Sequence, residues 1–276
     1  MKNYLLTIIA AVSFGVSHTQ LFAQDHGHLN VGAVGTNQND PLTFDNADIF
    51  ETATNYVSTL TYTNGGRYAG YYQGNITFTA LAATAAHAGP VANAPALGAF
   101  IHAQLVSVDG PVGGAFAFWE SGATNPTFSV TAGMTATNTW KLSENNGVAG
   151  TDPYGHFHGR RFTATKPGIY TVGFRAWDFS TNGVAGGAMH SASEVLKIYF
   201  QAGICIANVE PDVDHTHITF GAKAGYNWQV QYASSLPATN WMGVGTPFAG
   251  TDLFVEVLDD QTPTTNRFYR VLGETP

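Results

Sequence analysis

A chain of 276 residues with 44% hydrophobic and only 11% charged residues, broken by 31 glycines and 12 prolines, can fill a globular core but cannot solvate the faces of a helical bundle. Its formal net charge of −8 comes from 19 acidic against 11 scattered basic residues, with no Lys/Arg cluster, which excludes a nucleic-acid phosphate surface. Thr, Asn, Ser and Gly take the place of charge, the composition of an exported all-β protein.

Lys2 followed by the apolar run Leu5–Val16 (LLTIIAAVSFGV) reads as an export signal. Leu21-Phe22-Ala23 precedes the expected cleavage point, so residues 1–23 form the signal and the mature chain starts at Gln24 or Asp25. The run is too short to span a bilayer comfortably, and no second apolar segment follows. The protein is therefore expected in the periplasm, at the cell surface or outside the cell, with no membrane span after signal removal.

Alternating strand patterns follow at Tyr56–Thr63, Asn75–Thr84, Ala99–Asp109, Ala115–Trp119, Thr127–Thr131 and Asn138–Ser143. Arg160–Thr165, Lys166-Pro167-Gly168 and Ile169–Trp177 read as strand, turn, strand, and Glu194–Gln201 closes the series. The pattern predicts a β-sandwich or jelly roll over residues 24–203, with no βαβ rhythm. Past a boundary near Ala202-Gly203, strands are expected at Ile204–Val209, His217–Phe220, Tyr226–Ala233, Phe254–Leu258 and Arg267–Leu272, so residues 204–276 form a small β module. The single cysteine, Cys205, excludes an internal disulfide and reads as a buried small hydrophobe.

The histidines carry the chemistry. Six of the ten occur as His26-Gly27-His28, His156-Phe157-His158 and His215-Thr216-His217. Residues i and i+2 of a strand share a face, so each pair sets two imidazoles side by side, close enough to hold one metal ion. Phe157 is expected to face the core and so to fix His156 and His158 on the opposite face. These two are the central pair. His102, inside an alternating strand, and His190, in a glycine-rich loop, are expected to join them. His26 and His28 form a second pair or an outer contribution, and Asp152 or Glu194 is the expected acceptor for a ligand's other ring N–H. His215 and His217, beside Asp212 and Asp214, read as an exposed strand edge, and His87 has the weakest context.

The stretch His156–Val172 (HFHGRRFTATKPGIYTV) resembles a signature of bacterial surface-anchored proteins, the choice-of-anchor proteins of actinobacterial type and the zinc-repressor-controlled PEP-CTERM proteins. The opening His26–Gly32 and Val195–Phe200 are similar to the same proteins. The resemblance covers roughly residues 25–203 and is sharpest at 155–175. It implies an exported β-sandwich linked to zinc or manganese homeostasis. Tyr226–Tyr232, Ser234-Ser235-Leu236, Asn240-Trp241 and Arg267–Val271 resemble a fibronectin type III module common at the ends of bacterial secreted proteins, which implies a spacer or attachment role.

Catalytic templates fit poorly. No Gly-x-Ser-x-Gly elbow is present, Cys205 lacks the His and Met spacing of a cupredoxin, and Glu120 and Glu144 are the only acids near strand ends that could pair for glycoside hydrolysis. The absence of Met and Cys beside the histidines disfavours Cu(I) and selects Zn(II), with Cu(II) or Mn(II) behind it. The expectation is a non-enzymatic, exported zinc-binding protein for metal buffering or delivery at the cell envelope, partnered by a metal transporter or surface component. The alternatives are a secreted structural or adhesive surface protein without catalytic activity and a metal-dependent oxidoreductase.

Overall fold

The structure is a computed structural model that describes residues 27–83, 93–261 and 266–276. The expected signal, His26 and His87 lie outside the described residues. The fold is all-β. Its first unit contains β1 (Gly27–Ala33), β2 (Leu42–Phe44), β3 (Val57–Tyr62), β4 (Tyr72–Gly74), β5 (Ile76–Ala80), β6 (Ile101–Asp109), β7 (Ala115–Trp119), β8 (Phe128–Thr131), β9 (Met134–Thr135), β10 (Thr139–Lys141), β11 (Gly155–His156), β12 (Arg161–Ala164), β13 (Gly168–Asp178) and β14 (Leu196–Ala202). Among the described residues the one α-helix is a single turn, Ala47–Phe50, and no helix is long and apolar enough to cross a membrane.

A long sheet runs in the order β10-β6-β13-β14-β3-β4-β12-β7-β8, with β9 beside β6. It folds over on itself around aromatic side chains. Phe116 of β7 and Phe162 of β12 stack at 5.5 Å between ring centroids, and they meet Phe200 of β14 at 4.8 Å and Phe174 of β13 at 5.7 Å. A second sheet, β11-β5-β1-β2, closes the core. Its inner face carries Leu29, Val31 and Ala33 of β1 and Ile76, Phe78 and Ala80 of β5, all buried. Phe78 is the keystone between the sheets, with its ring against Phe44, Trp140, Phe162 and Phe174.

The Lys166-Pro167-Gly168 turn does not close a hairpin. β12 pairs with β4 and β7, whereas β13 pairs with β6 and β14, so the turn carries the chain from one half of the folded sheet to the other. The Tyr170 hydroxyl donates to the Lys166 carbonyl at 3.0 Å and locks this corner. Turn chemistry marks a reversal without naming the strand's partner, which is why the sequence does not distinguish the two.

The second unit comprises β15 (Ile206–Pro211), β16 (Thr216–Ala222), β17 (Asn227–Ala233), β18 (Met242–Ala249), β19 (Leu253–Asp259) and β20 (Phe268–Glu274). They form two three-stranded sheets, β15-β16-β19 and β18-β17-β20, around a separate core of Ile218, Phe220, Ala222, Trp228, Val230 and Val244. The units are fastened together rather than strung on a linker. The fully buried Gln201 amide donates to the Gly221 carbonyl at 3.1 Å and accepts from the Gly221 N–H at 2.9 Å. The Val57 N–H reaches the Asp252 carbonyl, and the Phe254 N–H reaches that of Asn55, each at 2.9 Å.

Candidate functional site

β1 and β11 flank β5 on the closing sheet, β1 parallel to it and β11 antiparallel. The register sets His28 opposite Thr77 and His156 opposite Thr79. Because Phe78 between those threonines points into the core, both histidines stand on the sheet's outer face. Thr77 and Thr79 are only 3% and 8% exposed, small polar side chains lying under larger ones. Across them the rings of His28 and His156 approach to 4.7 Å between centroids. His158, just past the end of β11, brings a third ring 4.3 Å from that of His156 and 6.5 Å from that of His28. Three imidazoles from two distant segments thus gather on one patch.

The local sequence explains how β11 reaches its place. A β-carbon at Gly155 would overlap the Leu142 carbonyl oxygen, so only glycine lets this strand press against residues 142–144. The Glu144 N–H donates to the Tyr154 carbonyl at 2.7 Å, and the His156 N–H points at Glu144 Oε1 at 3.4 Å. Phe157 is not the core anchor the alternation predicts. It is half-buried and lies under the Arg160 guanidinium at 4.3 Å, with the Lys141 ammonium at 5.6 Å. Arg160 is itself fixed by two bonds to the Glu120 carboxylate, at 2.7 and 3.0 Å, and one to the Lys141 carbonyl at 2.8 Å. The His156–His158 segment is therefore held by a cation–aromatic stack on one side and the closing sheet on the other.

The structure does not bring His102 or His190 to this patch. His190 is buried, and both its ring nitrogens are engaged by backbone: Nε2 accepts from the Ala96 N–H at 2.8 Å and Nδ1 donates to the Asp40 carbonyl at 2.9 Å. That leaves no lone pair for a metal, and the ring acts as a tie between loops. His102 is wedged between Phe100 and Phe179, each 4.6 Å away, and among the described residues neither ring nitrogen has a hydrogen-bond partner. Asp152 caps its own turn, accepting from the Ala83 and Tyr154 N–H groups, and Glu194 is exposed. The carboxylate that sequence reasoning missed is Asp45. Its N–H donates to the Asn30 carbonyl at 2.8 Å, so it continues the β1–β2 pairing one residue beyond β2, and its side chain is 8% exposed. Opposite residues share a face, which puts Asp45 with Asn30 and His28 on the histidine side of the sheet. The only signal in the sequence is Asp45-Asn46, two polar residues ending an apolar strand.

Burial, with the Lys141 and Arg160 cations adding to it, pushes the pKa of His102 down from 6.5 to about 4. The unfolded chain then binds a proton between pH 6.5 and pH 4 that the folded chain refuses, so this residue's contribution is complete above pH 6.5 and is lost as the pH falls through that window. The His102→Phe variant should lose less stability than the parent between pH 7 and pH 4, measured by urea unfolding at each pH. Equal losses would show that His102 titrates normally.

On the second unit, His215 and His217 are more than a solvated edge. A tight turn, with the Asp212 N–H on the His215 carbonyl, joins β15 to β16 and sets the two rings side by side, tilted by 57° with centroids 4.6 Å apart. Their Nε2 atoms are 2.9 Å apart. His215 Nδ1 meets the Asp214 carboxylate, and His217 Nδ1 meets that of Glu256 at 2.7 Å, a contact that raises the His217 pKa. Cys205 is half-buried, and burial pushes its thiol up to about 11, so it is protonated at neutral pH and a poor metal ligand.

No model of a known protein family matches this chain, and comparison with curated proteins finds no significant match.

Proposed function

We propose that the protein is an exported zinc-binding protein that buffers the metal or passes it to a transporter or surface component at the cell envelope. The observation that carries the reading is the convergence of His28, His156 and His158. Zinc held about 2.1 Å from three imidazole nitrogens at tetrahedral angles puts the ring centroids roughly 5 Å apart. The observed separations of 4.3, 4.7 and 6.5 Å bracket that value. Asp45 is the candidate fourth ligand in the described part of the chain, and His26, two residues before His28, is a candidate from the preceding segment. An all-His or His/carboxylate set suits Zn(II), with Cu(II) and Mn(II) behind it.

A binding role is favoured over hydrolysis because one of the two tempting acids, Glu120, is neutralised by Arg160 rather than poised for proton transfer. The two-sheet C-terminal unit fits the fibronectin-III-like spacer that its sequence resembles. The test is the metal content of protein secreted without an affinity tag. We expect close to one zinc per chain attributable to the first unit, and a folded, metal-free protein that takes up no zinc on addition would refute the reading.

A further inference from the structure

We propose that Asp212, His215 and His217 form a second metal site, one that takes a divalent transition ion of the Cu(II) class. It shares no residue with the His28, His156 and His158 patch and does not depend on the zinc reading. Geometry carries the argument. A carboxylate faces each Nδ1, Asp214 on His215 and Glu256 on His217, and orients both rings with their Nε2 atoms toward one another. Those atoms lie 2.9 Å apart, a contact that one shared proton bridges and that a divalent ion takes over by displacing the proton. The Asp212 carboxylate, 3.8 Å from His215 Nε2, supplies a third donor, and the three ligand atoms all lie within 4.8 Å of one another.

The geometry selects the ion. Donors about 2.1 Å from a metal and 2.9 Å from each other subtend roughly a right angle, the angle of tetragonal rather than tetrahedral coordination. Two imidazoles at a right angle with a carboxylate beside them form a Cu(II) donor set, and Cu(II) also binds such sites most tightly among the divalent first-row ions. The site is preorganised and open. His217 stands on the central strand β16 between the buried Thr216 and Ile218, while the side chains of His215 and His217 are 25% and 29% exposed. An ion held here can exchange with solvent, unlike one in a closed structural centre.

The test is Cu(II) binding to the full chain, followed by equilibrium dialysis and electron paramagnetic resonance. The variant His28→Ala/His156→Ala/His158→Ala should keep one Cu(II) with nitrogen hyperfine structure. The variant His215→Ala/His217→Ala should bind one equivalent fewer than the parent, with an unchanged circular dichroism spectrum. Glu256→Gln, which leaves the ligands in place, should weaken that equivalent about tenfold. If the triple variant binds as much copper as the parent, the zinc patch fails and this site stands. A His215→Ala/His217→Ala protein that binds as many copper ions as the parent would overturn the proposal. So would a folded triple variant that binds none.

Discussion

Zinc should bind at least about a hundredfold more weakly to the variant His156→Ala/His158→Ala than to the parent, because two of the three converging imidazoles are gone and even outer partners of a metal site are worth ten- to a hundredfold. The fold should survive. His156 is half-buried and His158 exposed, the strand that holds His156 is two residues long, and Gly155, which packs the backbone against Leu142, is untouched. Calorimetric titration reads the affinity, and circular dichroism reads the fold. His190→Ala is the informative contrast. It should destabilise the protein by untying Ala96 from Asp40 while leaving zinc affinity nearly unchanged. Unchanged zinc affinity in the His156/His158 variant would remove the basis of the proposed function.

The largest effect on stability is expected at Phe78. Its ring is 4% exposed and touches four other aromatic rings drawn from both sheets. Replacement by Ala opens a cavity that rigid neighbouring rings fill poorly, at a cost of about 3–5 kcal/mol. Against the usual 5–15 kcal/mol of a folded domain this is a fifth or more of the total. Denaturant unfolding measures it, and a loss under about 1 kcal/mol would mean that the sheets do not meet at this ring. Phe78 also sits between Thr77 and Thr79, the two positions that set the register of His28 and His156, so its loss should weaken zinc binding as well.

The sequence made the strands legible where the alternation is long and unbroken. The run Ala99–Asp109 corresponds to β6 (Ile101–Asp109), and Ile169–Trp177 to β13 (Gly168–Asp178), because alternation over many residues admits one reading. β4 and β11, only three and two residues long, carry too little pattern to register, and β1 hides behind the glycines at 27 and 32. The site was legible in part for the same reason. His-x-His spacing identifies pairs, but which pairs meet depends on sheet order. The parallel pairing of β1 with β5 and the antiparallel pairing of β11 on its other side join residues 28 and 156, and no local signal encodes that. His102 and His190 look like ligands by type, and their real environments, an aromatic wedge and two backbone partners, come from loops far away in the chain. For Phe157, alternation assumed a regular strand through residue 158, but β11 stops at His156.

The proposed zinc site has His28, His156 and His158 holding one metal ion between them. Crystals of the parent protein grown with zinc, measured on both sides of the zinc absorption edge, test it directly. An anomalous difference peak is expected about 2.1 Å from a ring nitrogen of each of the three histidines. Zinc density only at Asp212, His215 and His217, with the first three rings packed against one another and no ion among them, would contradict it.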